Sequence, residues 1–251
     1  MPIAGPPTPL LVGTAGWTLP AKDADRFGEG ATALARYATR FNAVEINSSF
    51  HRPHRRATWQ RWAESVPASF RFAAKIPKTI SHQRKLVDCD EPLATFLGEV
   101  GGLGGKLGVL LLQLPPKLAF DGKVAEPFLT RLTEVSTAQL VCEPRHPSWF
   151  EPGPDALLDR LRVARVAADP AILPAAARPG GRRGFSYWRL HGSPAIYRSS
   201  YDDGRLDHYA KMLVDEWSAG RSAWCMFDNT AGSAATADAL GLVGRLRLES
   251  A

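Results

Sequence analysis

Val109-Leu110-Leu111-Leu112-Gln113 decides the fold. Four apolar residues without polar alternation mark a strand covered on both faces, and such strands belong to parallel sheets packed under helices. The run ends on an amide. Seven other β-like runs also carry a polar or ionisable residue at their C-terminal edge: Leu11-Val12-Gly13-Thr14, Ala43-Val44-Glu45-Ile46-Asn47, Arg71-Phe72-Ala73-Ala74-Lys75, Leu140-Val141-Cys142-Glu143, Val166-Ala167-Ala168-Asp169, Tyr187-Trp188-Arg189-Leu190-His191 and Trp224-Cys225-Met226-Phe227-Asp228-Asn229. Helix-like segments separate most of them, so the strands are expected to be parallel with their ends on one rim. In a parallel α/β barrel that rim carries the chemistry. With 251 residues, the chain has about the usual length of one such barrel. The expected fold is therefore α/β, a single (β/α)8 TIM-type barrel domain over 1–251 with a short flexible N-terminal stretch 1–9.

The intervening helices are read from their spacing. Leu34, Ala35 and Ala38 share a face over 31–39, and Trp59, Trp62, Ala63 and Val66 do so over 58–66. Glu91-Pro92 opens a helix carrying Leu93, Phe96, Leu97 and Val100, which Gly101-Gly102 ends. Residues 124–132, 155–161, 206–217 and 234–246 complete the set. The sixth connection, 170–184, is rich in Ala, Pro and Gly and reads as an irregular excursion rather than a helix.

Composition narrows the function. Net charge is +6, which favours anionic partners. Three cysteines without Cys-x-x-Cys spacing argue against a disulfide framework or a zinc ribbon. The first residues lack a basic n-region and an apolar h-region, and no apolar run is long enough for a bilayer, so a cytoplasmic protein without membrane contact is expected. Charge gathers in the loops after the strands. His51, Arg52, His54, Arg55 and Arg56 follow Asn47; Lys78, His82, Arg84 and Lys85 follow Lys75; Tyr197, Arg198 and Tyr201 follow His191. Cations with interleaved aromatics suit a phosphate or another anion; the plainer reading is that long loops are hydrophilic. Gly-x-Gly-x-x-Gly after a strand, a complete P-loop, His-Glu-x-x-His and Gly-x-Ser-x-Gly are all missing.

Taken in order, Gly13-Thr14-Ala15-Gly16-Trp17, Val44-Glu45-Ile46-Asn47-Ser48-Ser49-Phe50, Gln113-Leu114-Pro115-Pro116, Glu143-Pro144-Arg145-His146-Pro147-Ser148-Trp149, Arg189-Leu190-His191-Gly192 and Phe227-Asp228-Asn229-Thr230 resemble the YecE-like proteins, the "domain of unknown function seventy-two" family. The resemblance runs from Gly13 to about Leu246. It implies a TIM-type barrel, distantly similar to the endonuclease IV and xylose isomerase barrels, with no settled activity. The chain departs at Ala15 where Ser is usual, His51 where Tyr is common and Asp228 where Asn often stands.

Candidate roles follow from position on the rim. Glu143 and His191 are expected to exchange protons, with Glu45 as a further catalytic carboxylate; each carboxylate could instead pair with Lys75, Arg145 or Arg189. Arg189 and His191, two apart on one strand, point the same way. Lys75, Arg145 and Arg189 are expected to hold the anion, Arg145 through its planar fork. Nothing near Lys75 in the sequence argues for a depressed pKa, so imine chemistry ranks low. Asn47, Gln113, His146, Tyr197, Tyr201, Asp228 and Asn229 complete the expected substrate-binding set, and Asp169 is taken as part of the rim. No cofactor is expected; a divalent metal on the carboxylates is disfavoured by the cations between them. The leading expectation is an enzyme, a hydrolase, lyase or isomerase acting on a phosphate-bearing or other anionic substrate. The alternative is a protein that binds nucleic acid at the same basic mouth without turning it over.

Overall fold

The structure, a computed structural model, describes residues 10–249; the stretch 1–9 lies outside the described residues. The strands are β1 (Leu10–Thr14), β2 (Ala43–Ile46), β3 (Arg71–Lys75), β4 (Leu107–Gln113), β5 (Gln139–Glu143), β6 (Ala164–Arg165), β7 (Ala167–Asp169), β8 (Gly180–Gly181), β9 (Phe185–Leu190) and β10 (Ser222–Phe227). The helices are α1 (Ala33–Tyr37), α2 (Ser48–His51), α3 (Arg56–Glu64), α4 (Asp90–Val100), α5 (Gly122–Val135), α6 (Pro152–Arg160), α7 (Asp203–Ser218) and α8 (Ala235–Glu249). Thr32, Asp121 and Asp202 start α1, α5 and α7 by accepting backbone N–H groups that the first turn leaves free. Among the described residues no helix is long and apolar enough to cross a membrane.

The strands form two sheets in the orders β1-β10-β9-β7 and β2-β3-β4-β5-β6-β8. Every pairing is parallel except that of β6 with β8. The mixed α/β architecture with parallel sheets matches the expectation. The strand anticipated at 166–169 instead occupies 164–169 and is interrupted at Val166: β6 pairs with β5, and β7 with β9. On the other side, Ala15 bridges to Glu45, and Gly16 N–H donates to the Glu45 carbonyl at 2.8 Å. Gly13 permits this approach, because a Cβ there would stand 2.1 Å from the Ala43 carbonyl oxygen. Tyr37 of α1 closes the same seam. Its hydroxyl accepts from Thr14 N–H at 2.8 Å and donates to the Ala43 carbonyl at 3.1 Å.

Alternation along the strands sorts the core into two clusters. Leu11, Ala43, Ala73, Val109, Leu111, Val141, Ala164, Val166, Phe185, Tyr187, Trp224 and Met226 pack together from both sheets without any helix residue. Their neighbours in the opposite phase, such as Val44, Leu110, Cys142, Trp188 and Leu190, pack with the helices in the larger cluster. Burying each large side chain contributes about 1.5–3 kcal/mol. The phase of the first cluster, carried one step further, sets Glu45, Lys75, Gln113, Glu143, Arg189 and Asp228 directly above it. An apolar layer therefore carries a polar one at the strand ends.

The connections hold two elements that the sequence reading left as loop. Ser48–His51 is one turn of helix, and Thr79–Gln83 is a π-type turn. Both are short stretches of mixed polarity without an apolar period. The sixth connection has no α-helix, only a 3-10 turn at Pro174–Ala177 and the short β8.

Candidate functional site

Arg189 stands at the centre of the polar layer, fully buried. Its Nη2 donates to Glu45 Oε1 at 2.6 Å and Asp228 Oδ2 at 2.8 Å, its Nη1 to Glu143 Oε2 at 2.6 Å, and its Nε to Glu45 Oε2 at 3.0 Å. Tyr187, two residues before it in the same phase, donates its hydroxyl to Glu45 Oε2 at 2.8 Å. His191, two residues after it, lies with Nε2 2.9 Å from Glu143 Oε1 and Nδ1 3.1 Å from Asp228 Oδ2. Arg145 Nη2 reaches the same Glu143 oxygen at 2.7 Å and His191 Nε2 at 3.0 Å. Asn47 Nδ2 completes Asp228 by donating to Oδ1 at 3.4 Å. Four sequence segments thus converge on one guanidinium.

This geometry governs ionisation. Burial alone would raise the Glu143 pKa, but Arg189, then Arg145 and His191, hold it well below the usual carboxylate range. Asp228 is likewise lowered against its burial, by Arg189 and His191 first. The same carboxylates reverse the effect of burial on Arg189 and raise its pKa. Glu45 and Glu143 therefore pair with Arg189 and Arg145, not with Lys75. Among the described residues no three of His, Cys, Asp and Glu are arranged to hold a metal ion. At this point the guanidinium of Arg189 occupies the place on which the three carboxylates converge.

Lys75 differs from every other charge in the layer. It is 8% exposed, yet no carboxylate oxygen among the described residues lies within ion-pair distance of its Nζ. The ammonium rests 4.2 Å from the centroid of the Phe50 ring, and His82 packs edge-on to that same ring at 4.9 Å. Burial first, then Arg189, lowers its pKa from 10.5 to about 8, with Glu45, Glu143 and Asp228 opposing. The sequence offered no sign of this depression, which arises from residues distant along the chain. His82 is lowered as well, by burial and then by the charges of Lys75 and Arg145. Lys75 and His82 thus share the Phe50 ring, and the charge of Arg145 also reaches His82. The Nε of Arg145 and the Oδ1 of Asn47 are buried without a hydrogen-bond partner.

The remaining expected residues divide. Gln113 is half-buried at the end of β4, in register with Glu143. Tyr197 is 41% exposed and sets its ring edge-on to His191 at 5.6 Å. His146 turns aside: its Nδ1 accepts from Ser148 N–H at 3.3 Å and lies 2.8 Å from the Ser148 hydroxyl, capping the turn at Pro147–Phe150. Tyr201, Asp169 and Asn229 lie on the helix side. Tyr201 is buried, donates to Asp169 Oδ2 at 2.7 Å and accepts from Gly192 N–H at 2.9 Å. Asp169 also receives Arg205 Nη2 at 2.7 Å, and Asn229 Nδ2 donates to Asp238 Oδ2 at 2.6 Å. Asp169 and Asn229 share the outward phase of Ala167 and Phe227, so alternation carries them away from Arg189. Phe50, His82 and Tyr187 also contact this layer; His82 was expected only as one of the loop charges after Lys75, and neither Phe50 nor Tyr187 was among the expected binding residues. The signal for Tyr187 was its shared phase with Arg189.

A family model described as "Protein of unknown function DUF72" matches residues 11–251. UPF0759 protein YecE of Escherichia coli K12 is 35% identical over 126 residues, which is 49% of this chain and 45% of that protein. The YecE of E. coli O157:H7 matches equally. The chain thus spans about half the length of the curated relatives it matches. A DUF72 family protein from Enterococcus faecalis V583 superposes with a TM-score of 0.77 at 18% identity, over 96% of this chain and 98% of that one. One from Thermotoga maritima MSB8 gives 0.75 at 22% identity, over 95% and 99%. A methyltransferase from Methanosarcina mazei gives 0.55 at 10% identity, over 99% and 96%. Those structural likenesses speak to fold alone; the match along almost the whole sequence makes this chain a member of the DUF72 family.

Proposed function

We propose that this protein is an enzyme that binds an anionic substrate, phosphate- or carboxylate-bearing, at the strand ends and moves a proton on it. The reading takes the two sheets as one closed (β/α)8 barrel. The Ala15–Glu45 bridge on one side and the shared stretch 164–169 on the other support that closure. The observation that carries the function is Lys75. Buried charges are ordinarily paired, because desolvating one without a partner costs several kcal/mol. Three carboxylates stand nearby, and Arg189, Arg145, His191, Tyr187 and Asn47 take up their oxygens. A negatively charged ligand is then the natural counter-ion of Lys75, with Arg145 offering a second donor through Nε.

In this reading Lys75 and Arg145 hold the anion, while Asn47 and Gln113 orient the substrate. His191 transfers the proton. Glu143 and Asp228 are weak bases at neutral pH, because the surrounding cations hold them ionised; they fix the orientation of the imidazole. Glu45 and Tyr187 set Arg189, which sets the other two carboxylates. Calorimetric titration with inorganic pyrophosphate at neutral pH tests the anion site. Binding is expected, weakened by about tenfold or more in both Arg145→Met and Lys75→Met, equivalent to about 1.4 kcal/mol. Undiminished binding in both variants, or none in the native protein, defeats the reading.

A second reading rests on the exposed Arg52, Arg55, Arg84 and Lys85, carried by the loops after β2 and β3. They suit a nucleic-acid backbone. A steep salt dependence of oligonucleotide binding without sequence preference, with no turnover, favours that binder.

A further inference from the structure

We infer that Lys75 is a covalent nucleophile, and that the substrate is a carbonyl compound whose anionic group Arg145 holds while the amine attacks the carbonyl carbon. The inference rests on the anion-binding reading above and adds the bond that forms there. An amine acts as a nucleophile only through its nitrogen lone pair, so it must be free of its third proton. A carboxylate in direct contact keeps that proton in place. At this rim every carboxylate in reach is already engaged: Glu45 with Arg189 and Tyr187, Glu143 with Arg189, Arg145 and His191, Asp228 with Arg189, His191 and Asn47. Lys75 is left against the face of Phe50, buried and without an ion pair.

The surroundings support the same conclusion from the other direction. Arg189 is held permanently charged by its three carboxylates and repels a second proton on Lys75. The amine is therefore about half unprotonated near pH 8, with roughly a hundredfold more free base than an ordinary surface lysine at that pH. The charged and titratable groups whose charge reaches it are Arg189, Glu45, Glu143, Asp228 and His82. Arg145, which stands on Glu143 and His191 in the same layer, has an unpartnered Nε–H with which to keep the substrate's phosphate or carboxylate while the chemistry proceeds.

The step balances without a further reactant. The Nζ lone pair forms a bond to the carbonyl carbon as the C–O π pair moves to oxygen, giving a carbinolamine after proton transfer. The nitrogen then gives up its remaining proton as the C–O bond breaks, and oxygen leaves as water. The product is an imine joined to Lys75, which water returns to amine and carbonyl by the reverse path. Such an imine acidifies the adjacent carbon, which is the service a proton-moving site such as His191 needs.

The test uses glycolaldehyde phosphate and, in parallel, neutral glycolaldehyde. Each is incubated with the full-length protein at pH 8 and reduced with sodium borohydride, and the modified lysines are located by peptide mass mapping. The expected result is a reduced adduct concentrated on Lys75, at least about tenfold above Lys117 or Lys123 in line with its larger free-amine fraction. Lys75→Arg, which keeps the charge and cannot form a stable imine, should leave only the scattered background. An adduct spread evenly over the lysines, or confined to others, overturns the inference. Pyrophosphate binding in the same preparation separates the two claims. Binding without a Lys75 adduct removes the covalent step and leaves the anion site standing. A Lys75 adduct from both aldehydes alike, without pyrophosphate binding, keeps the nucleophile and removes the anion site.

Discussion

Two buried polar regions lie at the C-terminal ends of β7, β9 and β10, parting between Asp228 and Asn229, and they do opposite things. The first gathers Glu45, Glu143, Arg189, His191 and Asp228 above the helix-free apolar layer. The second joins Asp169, Tyr201, Arg205, Asn229 and Asp238 on the helix side of the same strands. In the first, one guanidinium binds three carboxylates and holds Glu143 and Asp228 ionised, and an amine in the same layer has no ionic partner. In the second, Asp169 at the end of β7 receives Tyr201 from the loop after β9 and Arg205 from α7, while Asp238 of α8 receives Tyr201 N–H and the Asn229 amide. Burial raises the Asp238 pKa there, whereas Glu143 and Asp228 are lowered despite burial. The same residue types thus serve a site in one phase and a scaffold in the other. The number of cations within reach makes the difference.

The sharpest way to break this contrast is Arg189→Met. It leaves three carboxylates in a site from which water is largely excluded, and losing one partner of a buried charge network typically costs about 3–5 kcal/mol. Chemical denaturation should show a loss of that order. Glu143 and Asp228 should then also take up protons at higher pH than in the native protein. A variant as stable as the native chain means that Arg189 is not what sustains their charge.

Lys75→Met should move the other way. A lysine whose folded pKa is about 8 instead of 10.5 binds fewer protons folded than unfolded between those values. Native stability therefore climbs with pH across that window, and below it the protonated amine weighs against folding. Methionine carries no such penalty. At about 1.4 kcal/mol per pKa unit, the variant should be more stable at pH 7 by about 3 kcal/mol, with the gap closing towards pH 10.5. The difference between the two denaturation curves isolates Lys75 from tyrosines that titrate in both proteins. A gap that is absent at pH 7, or that widens with pH, contradicts the depressed amine.

How much of this was legible in the sequence depends on the distance over which each feature is decided. Alternation is local, so Arg189 and His191 on one side and Leu190 and Trp188 on the other follow from five letters. The same rule carried from Phe227 to Asn229, and from Ala167 to Asp169, sends both away from the rim, although as polar strand ends they were expected to join it. Which carboxylate meets which cation is not local. Glu45 and Arg189 are joined across 144 residues, and no spacing announces the pair. The free amine of Lys75 is further removed still, since it depends on those distant pairs forming first. His82 was legible only as one charge of the loop after Lys75, because its π-type turn has no apolar period to mark it.

Tyr201→Phe sharpens the comparison with the smallest effect. The hydroxyl donates to Asp169 Oδ2 and accepts from Gly192 N–H, so its removal leaves one donor and one acceptor short in a mostly dry place. Gly192 has φ +88°, and a Cβ there would meet Ser199 O at 2.6 Å, so the turn has little room to find another partner. Arg205 still reaches Asp169, which limits the damage. The expected loss is about 1–2 kcal/mol of stability, with pyrophosphate affinity and adduct formation at Lys75 unchanged. The two regions adjoin at Asp228 and Asn229 but no hydrogen bond joins their side chains among the described residues, and stability and binding should therefore separate cleanly in this variant. Should binding fall together with stability, the loop after β9 positions the rim, and the helix-side cluster is part of the site rather than its support.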